Sequence, residues 1–238
     1  MRRTIAIFLA SETGRSACGR RRRRLIVRGV GWRADGGANL AQVENAFSKA
    51  RLEAFSDGVI AVIITIMVLD LKPPASADPA DLFKLWPSFV IYFVSFTFVA
   101  IYWINHHAIL TAAHHATPSL IWANNSLLFC LSLVPFSTAY VGATNLAQFP
   151  TMIYAALQLA CGLAFKLTFA TIVAQRRNDP EFMAGERARR IQNGSALTVY
   201  FLSIGVAWLS PISALALFIA VAVAYVVPGL FADRPMPR

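Results

Sequence analysis

Residues Arg51 to Leu71, RLEAFSDGVIAVIITIMVLDL, restrict the possible folds of this chain more than any other segment. An apolar run long enough to cross a bilayer opens on Phe55-Ser56-Asp57, which puts a carboxylate a few residues inside it. A charge at the centre of a membrane helix costs roughly 2.5–3.5 kcal/mol on insertion scales, so such a group has a partner or a task. The chain is 57% hydrophobic and 14% charged, with a mean hydropathy of +0.55. A water-soluble core of 238 residues cannot hide that much apolar surface, and the excess must face lipid. The expected class is an all-α, polytopic membrane protein.

The net charge of +10 is concentrated at one end. Residues 1–40 hold ten arginines, five of them in the run Arg20 to Arg24, against Glu12 and Asp35. Without sustained periodicity, residues 1–44 read as a basic, disordered N-terminal arm. Attraction to anionic lipid is its functional reading, and an over-extended start, with translation from a codon nearer Val43, is another. The next methionine is Met67, inside the first span. Cys18, Cys130 and Cys161 have no metal-like spacing and read as small packing residues.

Six apolar spans are expected within residues 45–232: about 54–71, 86–104, 119–140 with a bend at Pro135, 150–174, 195–209 and 212–231, with a short tail at 233–238. Residues 175–194 form a polar connection, and Ser210-Pro211 turns the last two spans into a tight hairpin. With six spans both termini share a side. That side collects the arm, Arg176, Arg177, Arg187, Arg189, Arg190, Arg234 and Arg238, while the opposite loops hold only Lys72 and Lys84. The positive-inside rule therefore makes both termini cytoplasmic.

This topology brings polar residues from three spans to one depth: Arg51, Phe55, Ser56 and Asp57 from the first, Trp103, Asn105, His106 and His107 from the second, and Asn124 and Asn125 from the third. Buried polar groups must satisfy one another, and the simplest arrangement is a structural network in which Arg51 and Asp57 are paired. A different face of the first helix carries Val62, Thr65 and Leu69. At 100° per residue these lie within about 60° of one another, with Gly58 and Ile66 nearby, while Asp57 points about 140° from Val62. In one subunit such a stripe is ordinary packing. Around an axis shared by several copies it becomes a narrow apolar pore with one ring of hydroxyls.

The motif R-x-x-x-F-S-D-G-V at Arg51 to Val59, Thr65 further along, Y-W-x-N-H-H at Tyr102 to His107, and L-x-P-F-S-T-A at Leu133 to Ala139 resemble the transmembrane protein 175 family of potassium channels in its bacterial single-repeat form. The resemblance covers about residues 45–232. It implies six helices per repeat, four repeats around a pore and a first helix that lines it. With a single F-S-D signature, this chain is expected to be a homotetramer in the bacterial inner membrane, passing K+ with no cofactor. Carried onto this sequence, the family's pore-lining stripe falls on Val62, Thr65 and Leu69. Valine is smaller than the family's usual leucine or isoleucine, which leaves Val62 or Leu69 as the narrowest point. No T-V-G-Y-G filter occurs, so any preference for K+ over Na+ rests on side-chain oxygens and a tight apolar passage.

Rival classes have less to stand on. His106-His107 and His114-His115 suggest a membrane metalloenzyme, but that region has no carboxylate to complete a metal site, so no metal and no enzyme activity are expected. A secondary ion transporter or a proton-permeable leak is the alternative function, with Gly162 and Pro135 as the only helix interruptions of note. The arm is too poor in aromatics to argue for nucleic-acid binding.

Overall fold

The computed structural model describes the backbone of residues 38–74 and 76–231, and the side chains of those residues outside 38–48, 185–193 and 228–231. The basic arm lies outside the described residues up to residue 37, as does the tail from residue 232. In chain order the helices are α1 (Ala38–Met67), α2 (Pro79–Lys84), α3 (Trp86–Thr111), α4 (Pro118–Ser132), α5 (Val134–Ala143), α6 (Gln148–Gln175), α7 (Pro180–Leu209) and α8 (Pro211–Phe231). A 3-10 turn, Val68–Asp70, closes α1 before Pro73-Pro74.

Local chemistry sets most of these boundaries. Asp78, Thr117 and Asp179 each cap a helix N-terminus by accepting a backbone N–H, and a proline follows each of them in the first turn, where its missing N–H costs nothing. The third span is divided between α4 and α5 at Leu133. Pro135, which cannot donate to the preceding turn, stands at the start of α5, as the expected bend requires.

Three expected boundaries change. The first helix begins at Ala38, well before residue 54 and inside the segment read as the arm, and α3 runs on to Thr111, which places His106 and His107 within a helix. The connection read as polar chain is largely helical, because Asp179-Pro180-Glu181 forms a cap, a first-turn proline and a first-turn acid, and α7 then continues unbroken to Leu209.

Among the described residues, four segments are long and apolar enough to cross a membrane: Lys49–Asp70, Trp86–Thr111, Pro118–Ala143 and Gln148–Gln175. The apolar stretches Gly194–Leu209 and Pro211–Val227 are shorter, roughly 24–26 Å at 1.5 Å per residue. They form the expected hairpin, with α7 packed on α8.

Two apolar cores share α3 and α6. One joins Ile60, Ile63 and Met67 of α1 to Val99 and Leu110 of α3, Leu127 and Leu131 of α4, and Phe169 and Ile172 of α6. The other joins Phe98 of α3 and Tyr154 of α6 to Tyr200 of α7 and Phe218 of α8. Among the described residues, helix α1 packs chiefly on α3, α4 and α5, which places it toward an edge of the bundle. Its buried residues, Leu52, Ser56, Ile60, Ile63 and Met67, recur at helical spacing, and the remaining face is left open.

Candidate functional site

The buried face of α1 is held by a directed chain of hydrogen bonds. Ser56 Oγ donates to the Leu52 carbonyl (2.8 Å), and Asn124 Nδ2 on α4 donates to Ser56 Oγ (2.9 Å). The Asn124 amide therefore turns its oxygen toward His106 on α3, at 2.6 Å from Nε2. An amide oxygen only accepts, so His106 carries its proton on Nε2. All three side chains are 0% exposed. The other ring nitrogen, Nδ1, is buried without a hydrogen-bond partner among the described groups.

Asp57 belongs to a separate contact. Its carboxylate accepts from the Trp103 indole N–H (2.9 Å), and His107 stacks on that indole. The single network expected from the sequence is thus two contacts, and no ion pair joins Arg51 to Asp57 among the described residues. Six residues of helix separate these two side chains by about 120° and about 9 Å, so they do not share a face. Arg51 and Phe55 are exposed. Asn105 donates to the Ile101 carbonyl of its own helix (2.8 Å) and faces away from α1. Asn125 is half-buried next to Asn124.

The opposite face of α1 has no covering among the described residues. Val62 is 54% exposed and Leu69 75%, with Gly58, Thr65 and Ile66 also exposed. The Thr65 hydroxyl bonds only within its helix, to the carbonyls of Ala61 (3.1 Å) and Val62 (3.0 Å), which leaves oxygen lone pairs available on the open side. An ideal Cβ placed on Gly58 meets no atom within 4 Å. Phe55, Gly58, Val62 and Ile66 form one wall of a groove whose other wall is Pro135, Phe136 and Ala139 of α5. In a membrane, this face meets lipid, water or another protein molecule.

Three polar features went unread in the sequence. Lys49 donates to the carbonyls of Thr111 and Ala113 (2.8 Å each), tying the start of the first span to the end of α3, where carbonyls lack helix partners. Gln175 accepts from the backbone N–H groups of His114 (3.1 Å) and His115 (3.4 Å), so that loop is fastened to α6. Ser95, Thr138, Tyr154 and Gln158 are buried together in the spans. A glutamine inside an apolar span is a signal that would have found them. No group of three or more histidine, cysteine or acidic side chains is placed to hold a metal ion among the described residues.

Residues 51–135 match the family model described as endosomal/lysosomal potassium channel TMEM175. The chain is 34% identical over 181 residues to a potassium channel of a Chryseobacterium species, covering 76% of this chain and 94% of that one. It is 32% identical over 170 residues to a potassium channel of Streptomyces collinus, covering 67% and 82%. To the mouse endosomal/lysosomal proton channel TMEM175 it is 34% identical over 120 residues, 45% of this chain and 22% of that one. Its structure resembles the crystal structure of a lysosomal potassium-selective channel TMEM175 homolog from Chamaesiphon minutus, with a TM-score of 0.67 and 26% identity, over 75% of this chain and 96% of that one.

Proposed function

The chain belongs to the TMEM175 family, and from that premise we propose that it is a potassium-preferring cation channel. It assembles as a homotetramer of six-helix subunits, with α1 nearest the axis and both termini cytoplasmic. One observation carries this reading: the Val62, Thr65 and Leu69 face of α1 is exposed in a helix whose other face is packed and hydrogen-bonded. Four copies of that face around an axis place apolar constrictions at Val62 and Leu69 on either side of a ring of Thr65 hydroxyls. Apolar rings gate by dewetting, and the hydroxyl oxygens replace part of the hydration shell of a passing K+. The Ser56–Asn124–His106 chain fixes the rotation of α1, and with it the direction in which the stripe points.

The test is a reversal-potential measurement on the purified full chain in planar bilayers with K+ on one side and Na+ on the other. Wild type is expected to show a K+ preference, and Thr65→Val, which keeps the shape and loses the oxygen, to move the reversal potential toward zero. A Thr65→Val channel of normal assembly and unchanged selectivity would refute the hydroxyl ring, and wild-type protein that passes no current would refute the channel. Because vertebrate relatives are named proton channels, proton permeation is the second reading. A reversal potential that follows a pH gradient at equal K+ would favour it.

A further inference from the structure

A second set of polar side chains is buried inside the subunit, away from α1. Thr138 Oγ1 of α5 donates to Ser95 Oγ of α3 (2.7 Å), and Ser95 Oγ is hydrogen-bonded to the Tyr154 hydroxyl of α6 (2.9 Å). One turn further along α6 is Gln158, 1% exposed, whose amide nitrogen and oxygen both lack a hydrogen-bond partner among the described groups. The Tyr154 hydroxyl lies beside this amide without the geometry of a bond.

Another turn on, Gly162 enters the wall of a small cavity between α3, α6, α7 and α8, with Tyr102, Asn105, Tyr200 and Tyr225 around it. About 40 Å³ of this cavity is open to the centre of a water-sized sphere. One water needs roughly 10–15 Å³ by that measure and two to four polar partners. Residues 154, 158 and 162 are spaced by about 6 Å along one face of α6, so Gln158 is one turn from Tyr154 and one turn from the glycine in the cavity wall, although its side chain is not itself part of the lining.

A buried primary amide without partners is costly in a membrane interior, where surrounding lipid offers none. Its occupant must both donate and accept, because the amide presents N–H groups as well as a carbonyl oxygen. A cation would face those N–H groups, and an anion would find no positive charge among the named residues. We propose that Gln158 binds internal water, which joins the Thr138–Ser95–Tyr154 chain to the cavity and forms a hydrated seam separate from the open face of α1.

Hydroxyl-radical footprinting of the full chain in lipid nanodiscs tests this, because radicals generated from bound water label the side chains that touch it. Tyr154 and at least one of Tyr102 and Tyr200 are expected to be labelled, and Gln158→Met to reduce labelling of Tyr154 several-fold. No label on any of the three tyrosines, in samples where the exposed α2 residue Phe83 is labelled, overturns the proposal. The melting midpoint gives a second reading by its sign. An unpaired amide is a liability that methionine removes, so a raised Tm for Gln158→Met also overturns the proposal, whereas a lowered Tm together with lost label supports it. Should the variant fail to fold, labelling of the wild-type chain still decides.

Discussion

On one side of α1, Ser56 is bonded to Asn124 of α4 and through it to His106 of α3; on the other, Thr65 bonds only to carbonyls of its own helix. Both residues are small hydroxyls in an apolar span, and their surroundings differ completely. Ser56 is part of what holds the subunit together, since its partners come from elements distant in sequence. Thr65 contributes nothing to that packing, so its hydroxyl is available to a neighbouring molecule or a passing ion. A hydroxyl's place in a membrane helix thus depends on whether another helix of the same chain reaches it.

The largest effect is expected from breaking the braced side. Asn124→Leu leaves the His106 N–H without an acceptor and Ser56 without its donor, at about 1–3 kcal/mol for each group left unpaired. Thermal unfolding and gel filtration in detergent are expected to show a strongly destabilised protein, and a variant as stable as wild type would remove the brace from the account. Trp103→Phe removes the single donor to Asp57 among the described residues. Because Trp103 is 43% exposed, the loss is expected to be smaller, about 1 kcal/mol, read by the same unfolding midpoint.

The open side predicts the reverse pattern. Thr65→Val is expected to change unfolding of the subunit by less than about 0.5 kcal/mol, because among the described residues no other helix bonds to that hydroxyl. Gly58→Leu sharpens this further, since a Cβ there meets nothing within 4 Å among the described residues. The isolated subunit is expected to be indifferent to it, and the assembled state to be disturbed. Cross-linking from Val62→Cys and Leu69→Cys reads that difference, and unaltered cross-linking in the Gly58→Leu background would argue that no second copy packs there.

The smallest effect lies outside the spans. Lys84, and then Ser76, hold the carboxyl of Asp81 below its usual value of 3.8. A lowered folded-state pKa contributes stability that is present above about pH 4 and is lost as pH falls through the folded value. Protection of the α2 amides, taken relative to the intrinsic exchange rate at each pH, is therefore expected to fall below about pH 4 in wild type, and Asp81→Asn to show the weaker protection at every pH.

Much of the candidate site was legible in the sequence because one helix carries it. Val62, Thr65 and Leu69 are related by a rotation of fixed size, and the α-helix supplies that rotation without tertiary information. The same reasoning placed Asp57 away from the stripe. Partnership among the polar residues was less legible. Asn124, His106 and Ser56 do meet, but Asp57 goes to Trp103 and Asn105 to its own helix, because membership of a common depth says nothing about which way each side chain points around its axis.

The first and third spans, the proline bend and the tight α7–α8 turn follow from apolar run length and proline chemistry, which are local properties. So does the membrane class, since composition alone leaves more apolar surface than a soluble core can cover. The polar stretch before Gly194 also held a local cue, the Asp179-Pro180 cap that starts α7. Only the tertiary structure decided which face of α1 is covered, which donor reaches Asp57, and that Gln158 lies buried beside a chain of hydroxyls. Those outcomes depend on how α3, α4, α5 and α6 are rotated against one another, and that rotation is set by side-chain packing between residues far apart in the chain.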